Sequence, residues 1–225
     1  GYLAYDDEVS NMHLLLKNLD HEGSGNLSAK EFRLVTKTQV GTANFIYGGI
    51  PYLANTTIGL DTDLDINTET SKYSFSNAAV KLNAMKVDAE GFFQILNDST
   101  YAMDIAFKTP SNDFKDILSL VPAVYQNEFN AVITKGTAAF NGFVKGNYSP
   151  VSIPAYAVNL SIKDGYFKYP DLPQPVQDIN LLLKATNADG KPDNTVVDIP
   201  NATLRFGNEP FTLRLLYKQP VTAQY

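Results

Sequence analysis

Thr57-Ile58-Gly59-Leu60-Asp61-Thr62-Asp63-Leu64-Asp65-Ile66-Asn67 sets apolar side chains at Ile58, Leu60, Leu64 and Ile66 against Asp61, Asp63, Asp65 and Asn67. Successive side chains of a strand point to opposite faces, so this period of two predicts a strand with one dry and one wet face. Met103, Ile105 and Phe107 repeat the pattern, as do Val158, Leu160 and Ile162, and Phe211, Leu213 and Leu215. Strands with one solvated face belong to antiparallel sheets, because parallel sheets are covered on both sides. The chain is therefore expected to be all-β and mostly antiparallel, either an extended curved sheet or a β-sandwich-like groove.

Turn residues extend the reading. Asp164-Gly165 between Tyr156–Lys163 and Tyr166–Tyr169 is a strong hairpin signal, and Asp189-Gly190 and Gly207-Asn208 are further turn candidates. Pro170, Pro173 and Pro175 cannot donate to a ladder, so residues 170–175 are expected to be an extended crossover or a sheet edge. Residues 111–126 break the pattern. They follow Pro110, carry early acids, and space Phe114, Ile117, Leu118, Val121 and Val124 as one amphipathic helix that Pro122 should kink or end.

Val9-Ser10-Asn11-Met12-His13-Leu14-Leu15-Leu16-Lys17 returns as Val176-Gln177-Asp178-Ile179-Asn180-Leu181-Leu182-Leu183-Lys184. The repeat points to two related β stretches, near 1–53 and 165–221, inside one unit spanning 1–225. It also bears on Asp20-His21-Glu22-Gly23-Ser24-Gly25-Asn26, which with Glu31 resembles a calcium loop with Asp20, Glu22, Ser24, Asn26 and Glu31 as oxygen ligands. The second copy leads instead into Asp189-Gly190-Lys191-Pro192. If the copies share structure, Met12–Lys17 is a strand, Asp20–Asn26 is a hairpin turn, and no metal is held.

Bulk properties narrow the function. A hydrophobic content of 44% over 225 residues supports a packed core, and a net charge of −6 without a basic cluster excludes nucleic acid as an expected partner. The absence of cysteine removes disulfides, thiol catalysis and thiolate metal sites. No nucleophile elbow, Walker loop, dinucleotide fingerprint or zinc-protease motif occurs, so neither an enzyme nor a cofactor is expected. Asp61, Asp63 and Asp65 read as a solvated sheet face, because side chains two apart on a strand lie about 7 Å apart and diverge. The apolar side of the strands is either core or a groove for acyl chains, in which each buried methylene contributes about 0.8 kcal/mol.

The runs Gly48-Gly49-Ile50-Pro51-Tyr52-Leu53, Ile58-Gly59-Leu60-Asp61-Thr62-Asp63-Leu64-Asp65 and Leu82-Asn83-Ala84-Met85-Lys86-Val87-Asp88-Ala89-Glu90-Gly91-Phe92 resemble the AsmA family of bacterial envelope proteins. Phe107-Lys108-Thr109-Pro110, Asp113–Tyr125, Gly142-Phe143-Val144-Lys145-Gly146 and Gly165–Pro173 continue the likeness in order. The segment Pro175–Asn180 is similar to Bacteroidetes-type forms. The resemblance implies a periplasmic protein, anchored in the inner membrane through a segment outside these residues. Its implied role is in outer-membrane biogenesis, related to bridge-like lipid-transfer proteins whose sheets curl into an apolar groove. It carries over no catalytic residues. Phospholipid or other acyl chains and other envelope proteins are the partners it implies. Ile58, Leu60, Leu64, Ile66, Met103, Ile105, Phe107, Val158, Leu160 and Ile162 are the candidate lipid contacts. A structural or protein-interaction module without lipid remains the alternative.

Overall fold

The computed structural model describes residues 1–8, 11–47, 49–110, 113–120, 131–170 and 173–219. Its strands are β1 (Tyr2–Asp7), β2 (Met12–Gly25), β3 (Glu31–Tyr47), β4 (Ile50–Asn67), β5 (Lys72–Leu82), β6 (Met85–Asn97) and β7 (Thr100–Lys108). After helix α1 (Phe114–Leu118) come β8 (Ile133–Tyr148), β9 (Ala155–Lys168), β10 (Val176–Asn187), β11 (Val196–Phe206) and β12 (Glu209–Lys218). Each strand pairs antiparallel with the next, giving one open twelve-stranded sheet in chain order, with β1 and β12 at its edges. The all-β expectation holds. Of the two architectures, the single sheet is the one observed, and among the described residues no second sheet lies over it.

Directly opposed residues of an antiparallel pair share a face, so the register traces each face across the sheet. One row runs Leu34, Leu64, Phe75, Gly91, Ile105, Val144, Tyr156, Asn187 through β3 to β10. A second runs Ala89, Phe107, Gly142, Val158, Ala185, Val197, Tyr217 out to β12. These rows belong to the apolar face. Opposite it lies a polar face, where Arg33 holds Asp65 with Nε–Oδ1 at 2.9 Å and Nη2–Oδ2 at 3.1 Å, and Lys145 Nζ holds Asp104 at 2.7 Å.

Strands this long stay in phase only because bulges correct them. Asn18, Asn55, Asp164 and Asp178 adopt left-handed φ of 53°, 51°, 51° and 56° inside strands, a conformation that short polar side chains tolerate best after glycine. At Asn18 the apolar phase passes from Leu16 to Leu19, opposite Ala43 and Val40, so both leucines stay on the same face. Sheets gain local twist at such insertions.

Several expectations are corrected. Asp164-Gly165 is not a hairpin turn: β9 runs through it as a bulge, pairing Lys135 with Tyr166 on one side and Thr137 with Lys163 on the other. Gly165 is buried, and an added Cβ would meet Ile162 Cγ2 at 2.9 Å and Ile179 Cβ at 3.0 Å. The segment 170–175 is a joint between strands, as expected, but β9 and β10 on either side of it are adjacent and antiparallel, so it is not a crossover; Asp171 and Leu172 lie outside the described residues. Met12–Lys17 is strand as expected, but β2 continues to Gly25 and the turn comes afterwards, before Glu31. Gly207-Asn208 does turn β11 into β12, and Asp189-Gly190 lies between β10 and β11. Of the predicted helix, Phe114–Leu118 is helical, capped by the Asp113 side chain accepting from the Lys115 N–H. Ser111, Asn112, Val121, Pro122 and Val124 fall outside the described residues. Among those described, no helix is long and apolar enough to cross a membrane.

In the two copies of the repeat, equivalent residues face alike. Leu14 and Leu16 on β2, and Leu181 and Leu183 on β10, lie on the apolar face, while Lys17 and Lys184 lie on the polar one.

Candidate functional site

All the candidate lipid contacts lie on the apolar face. Ile58 and Leu60 reach it through Leu82 and Val80 of β5, which pair with Met85 and Val87 of β6. Ile66 connects through Tyr73 and Phe93 to Met103, and Leu64 through Phe75 and Gly91 to Ile105. Phe107, Val158, Leu160 and Ile162 follow through Gly142, Phe140 and Ala138 of β8. Each is half-buried, in a sheet over which, among the described residues, no second sheet lies.

The burial comes from the shape of the sheet. Tyr148, at the end of β8, hydrogen-bonds through its side chain with Tyr47, at the end of β3, and Asp7 of β1 is near enough to act on its charge. In a flat sheet the five strand spacings between β3 and β8 amount to about 24 Å. The contact therefore requires the sheet to roll, with two of its far corners meeting on the apolar side. The cause is the twist of about 20–25° between neighbouring strands, which turns β8 by about 100° or more relative to β3. Around this corner Tyr148 lies 6.3 Å from the Tyr101 ring, which stacks on Phe93 at 5.6 Å. Donation of the Tyr148 hydroxyl to Tyr47, with partial burial, holds the Tyr148 phenol above the usual tyrosine range. Further along, Phe107 stacks on Phe140 at 5.2 Å. It lies over Gly142, where a Cβ would come within 2.7 Å of Phe107 Cζ, so only a glycine admits the ring there.

Sequence reasoning missed much of this face: Leu14, Leu16 and Leu19, Phe45, Met85, Phe93, Leu181 and Leu183 belong to it as well. The signal was a lone Asn or Asp at a break in alternation, as in Leu16-Lys17-Asn18-Leu19. It marks a left-handed residue that restores the phase, at Asn18 without any shift of register against β3, where a strict count of two ends the strand.

The other candidates are placed differently. Asp20, Glu22 and Ser24 are spread along the extended backbone of β2, on the polar face opposite Gln39, Lys37 and Val35. Asn26 accepts from the Ser28 hydroxyl at 2.7 Å, and Glu31 accepts from Asn67 Nδ2 at 2.6 Å. The backbone does not wrap these oxygens around one centre, and among the described residues no three Asp, Glu or His side chains converge as cation ligands. Asp61, Asp63 and Asp65 lie on the polar face opposite Lys37, Val35 and Arg33. His13 Nδ1 lies 2.7 Å from Asp6 Oδ1, and His21 Nδ1 lies 2.8 Å from the Thr38 hydroxyl. The most enclosed polar side chain, Asn187, is satisfied locally: its Nδ2 donates to the Lys191 carbonyl at 2.6 Å and its Oδ1 accepts from the Gly190 N–H at 2.8 Å. It shapes the β10–β11 connection.

Comparison of the chain with protein-family models, curated proteins and solved structures finds no match.

Proposed function

We propose that this chain is a non-enzymatic part of a periplasmic scaffold in outer-membrane biogenesis, inner-membrane-anchored as a whole, whose apolar face takes phospholipid or other acyl chains. What supports this reading above all is that half-buried apolar side chains of β4, β7 and β9 share one rolled face over which, among the described residues, no second sheet lies. The resemblance to the AsmA family is in keeping with it. A chain of about sixteen carbons contributes roughly 12 kcal/mol of transfer free energy before ordering costs, ample for binding without a polar anchor.

Delipidated protein is expected to take up a fluorescent fatty acid. Leu60→Asp and Leu160→Asp should abolish uptake while the circular dichroism of the sheet persists. Loss of the fold in both variants would mean that the face is core. Native mass spectrometry without co-purifying lipid, together with no uptake, overturns the reading. A protein-interaction module is the second reading, favoured by one observation: β1 and β12 are the edge strands of the sheet, and strand edges offer rows of backbone donors and acceptors to a partner chain.

A further inference from the structure

The apolar face is not uniformly free, because α1 lies on part of it. β7 stops at Lys108, opposite Asn141, whereas β8 begins eight residues earlier in register, at Ile133. α1 fills the place where β7 ends. At its start, Asp113 bridges to Thr137 of β8 and its carboxylate accepts from the Lys115 N–H at 2.8 Å. At its end, the Ser119 carbonyl accepts from Asn83 Nδ2 at 2.6 Å and the Ser119 hydroxyl accepts from the Ala84 N–H at 3.2 Å. Asn83 is held in turn, its Oδ1 accepting from the Thr57 N–H at 2.9 Å. The helix thus spans from β8 to the β5–β6 turn, across the line of β7. Phe114 is buried against Ala138 and Ile179, with Ile117, Leu118 and Ile162 packed around them.

Resting on the function proposed above, we propose that α1 sets the size limit of the ligand face: Phe114 fills space over Ala138 and Ile162 that acyl methylenes would otherwise occupy. Two observations distinguish this from a helix that only completes a core. The apolar face continues beyond the covered patch, through Phe107, Phe140 and Leu160 on one side and through Leu181 and Ala202 out to Leu213 on the other. And α1 has only five residues, too few to hold a helix in water, so its position depends on the polar anchors at its two ends. Ile162 is then a contact shared between helix and ligand, while half-buried Leu160, the next residue of β9 on this face, lies outside the α1 cluster.

The test is a chain-length series of saturated fatty acids, from about ten to about twenty-two carbons, titrated into the purified protein. Affinity should rise by up to about fourfold per methylene and then level off at a fixed length. Phe114→Ala should move the plateau to longer chains. Asn83→Gly keeps the left-handed backbone, removes the shorter of the two hydrogen bonds at the helix end and leaves the apolar cluster untouched. It should move the plateau the same way, and it decides the matter if Phe114→Ala does not fold. An unchanged plateau in the folded variants overturns the size-limit assignment while leaving the lipid reading in place. Absence of binding at every length in the unaltered protein overturns the lipid reading itself, and the limit with it.

Discussion

Two patches of the same apolar face differ in what lies over them. Under α1, Ala138 and Ile179 keep 3% and 8% of their surface, whereas on β12 Phe211, Leu213 and Leu215 keep 54%, 53% and 41%. The alternation that placed them is the same, and the register assigns both patches to one side of the sheet. Alternation therefore decides which face a residue joins, and something distant in the sequence decides whether that face is core. In this chain that is a five-residue helix in the β7–β8 connection.

Truncating a side chain in each patch breaks or upholds the contrast most directly. Phe114→Ala removes a ring from a closed contact and should cost about 3–5 kcal/mol of unfolding free energy. Leu213→Ala, on the open edge strand, should stay within about 0.5 kcal/mol. Urea unfolding followed by circular dichroism measures both. Equal losses would mean that β12 is covered in solution, and the distinction between the patches would fall.

A smaller effect tests how the covered patch is assembled. Asp164 at φ 51° makes the bulge that brings Gly165 opposite Ile179, beneath the α1 cluster. A β-branched side chain tolerates that conformation poorly, so Asp164→Val should cost about 1–2 kcal/mol, and Asp164→Gly should recover most of the loss. Equal stability of the two variants would show that β9 runs straight at this point and that the patch is organised otherwise.

These residues mark where the sequence was legible and where it was not. The strand at Ile58–Ile66 could be read because its period is unbroken and its two faces differ sharply in polarity. Asp164-Gly165 was misread because the same dipeptide serves a hairpin turn and a bulge: both need a left-handed residue followed by one with no Cβ to clash. Only the partner strands, Lys135–Thr137 and Ile179–Leu181, choose between them, and they lie far away in sequence. Helix α1 was legible from the early acids after Pro110 and the spacing of Phe114, Ile117 and Leu118. Its role as a cover was not, since that depends on β7 ending short of β8. The apolar face could be named strand by strand, but its roll could not, because twist accumulates over many strands and no single one encodes it.

The roll carries the smallest of the expected effects, and it separates the rolled corner from the open edge at β12. Tyr148→Phe removes the hydrogen bond to Tyr47 while keeping the ring against Tyr101. Both phenols are partly solvated, so water replaces much of what is lost, and the cost should stay below about 1 kcal/mol. The pH dependence has a definite sign. The folded protein raises the Tyr148 pKa, which means that the neutral phenol is favoured in the rolled state. Its contribution is fully present below the ordinary tyrosine value and is lost as pH rises through the raised one. Unfolding midpoints of the native protein and of Tyr148→Phe should therefore differ at neutral pH and converge in strongly alkaline solution. A gap that stays constant through that range would mean that the two corners are held by ring packing alone. In that case the phenol pair is a consequence of the roll and contributes nothing to holding it.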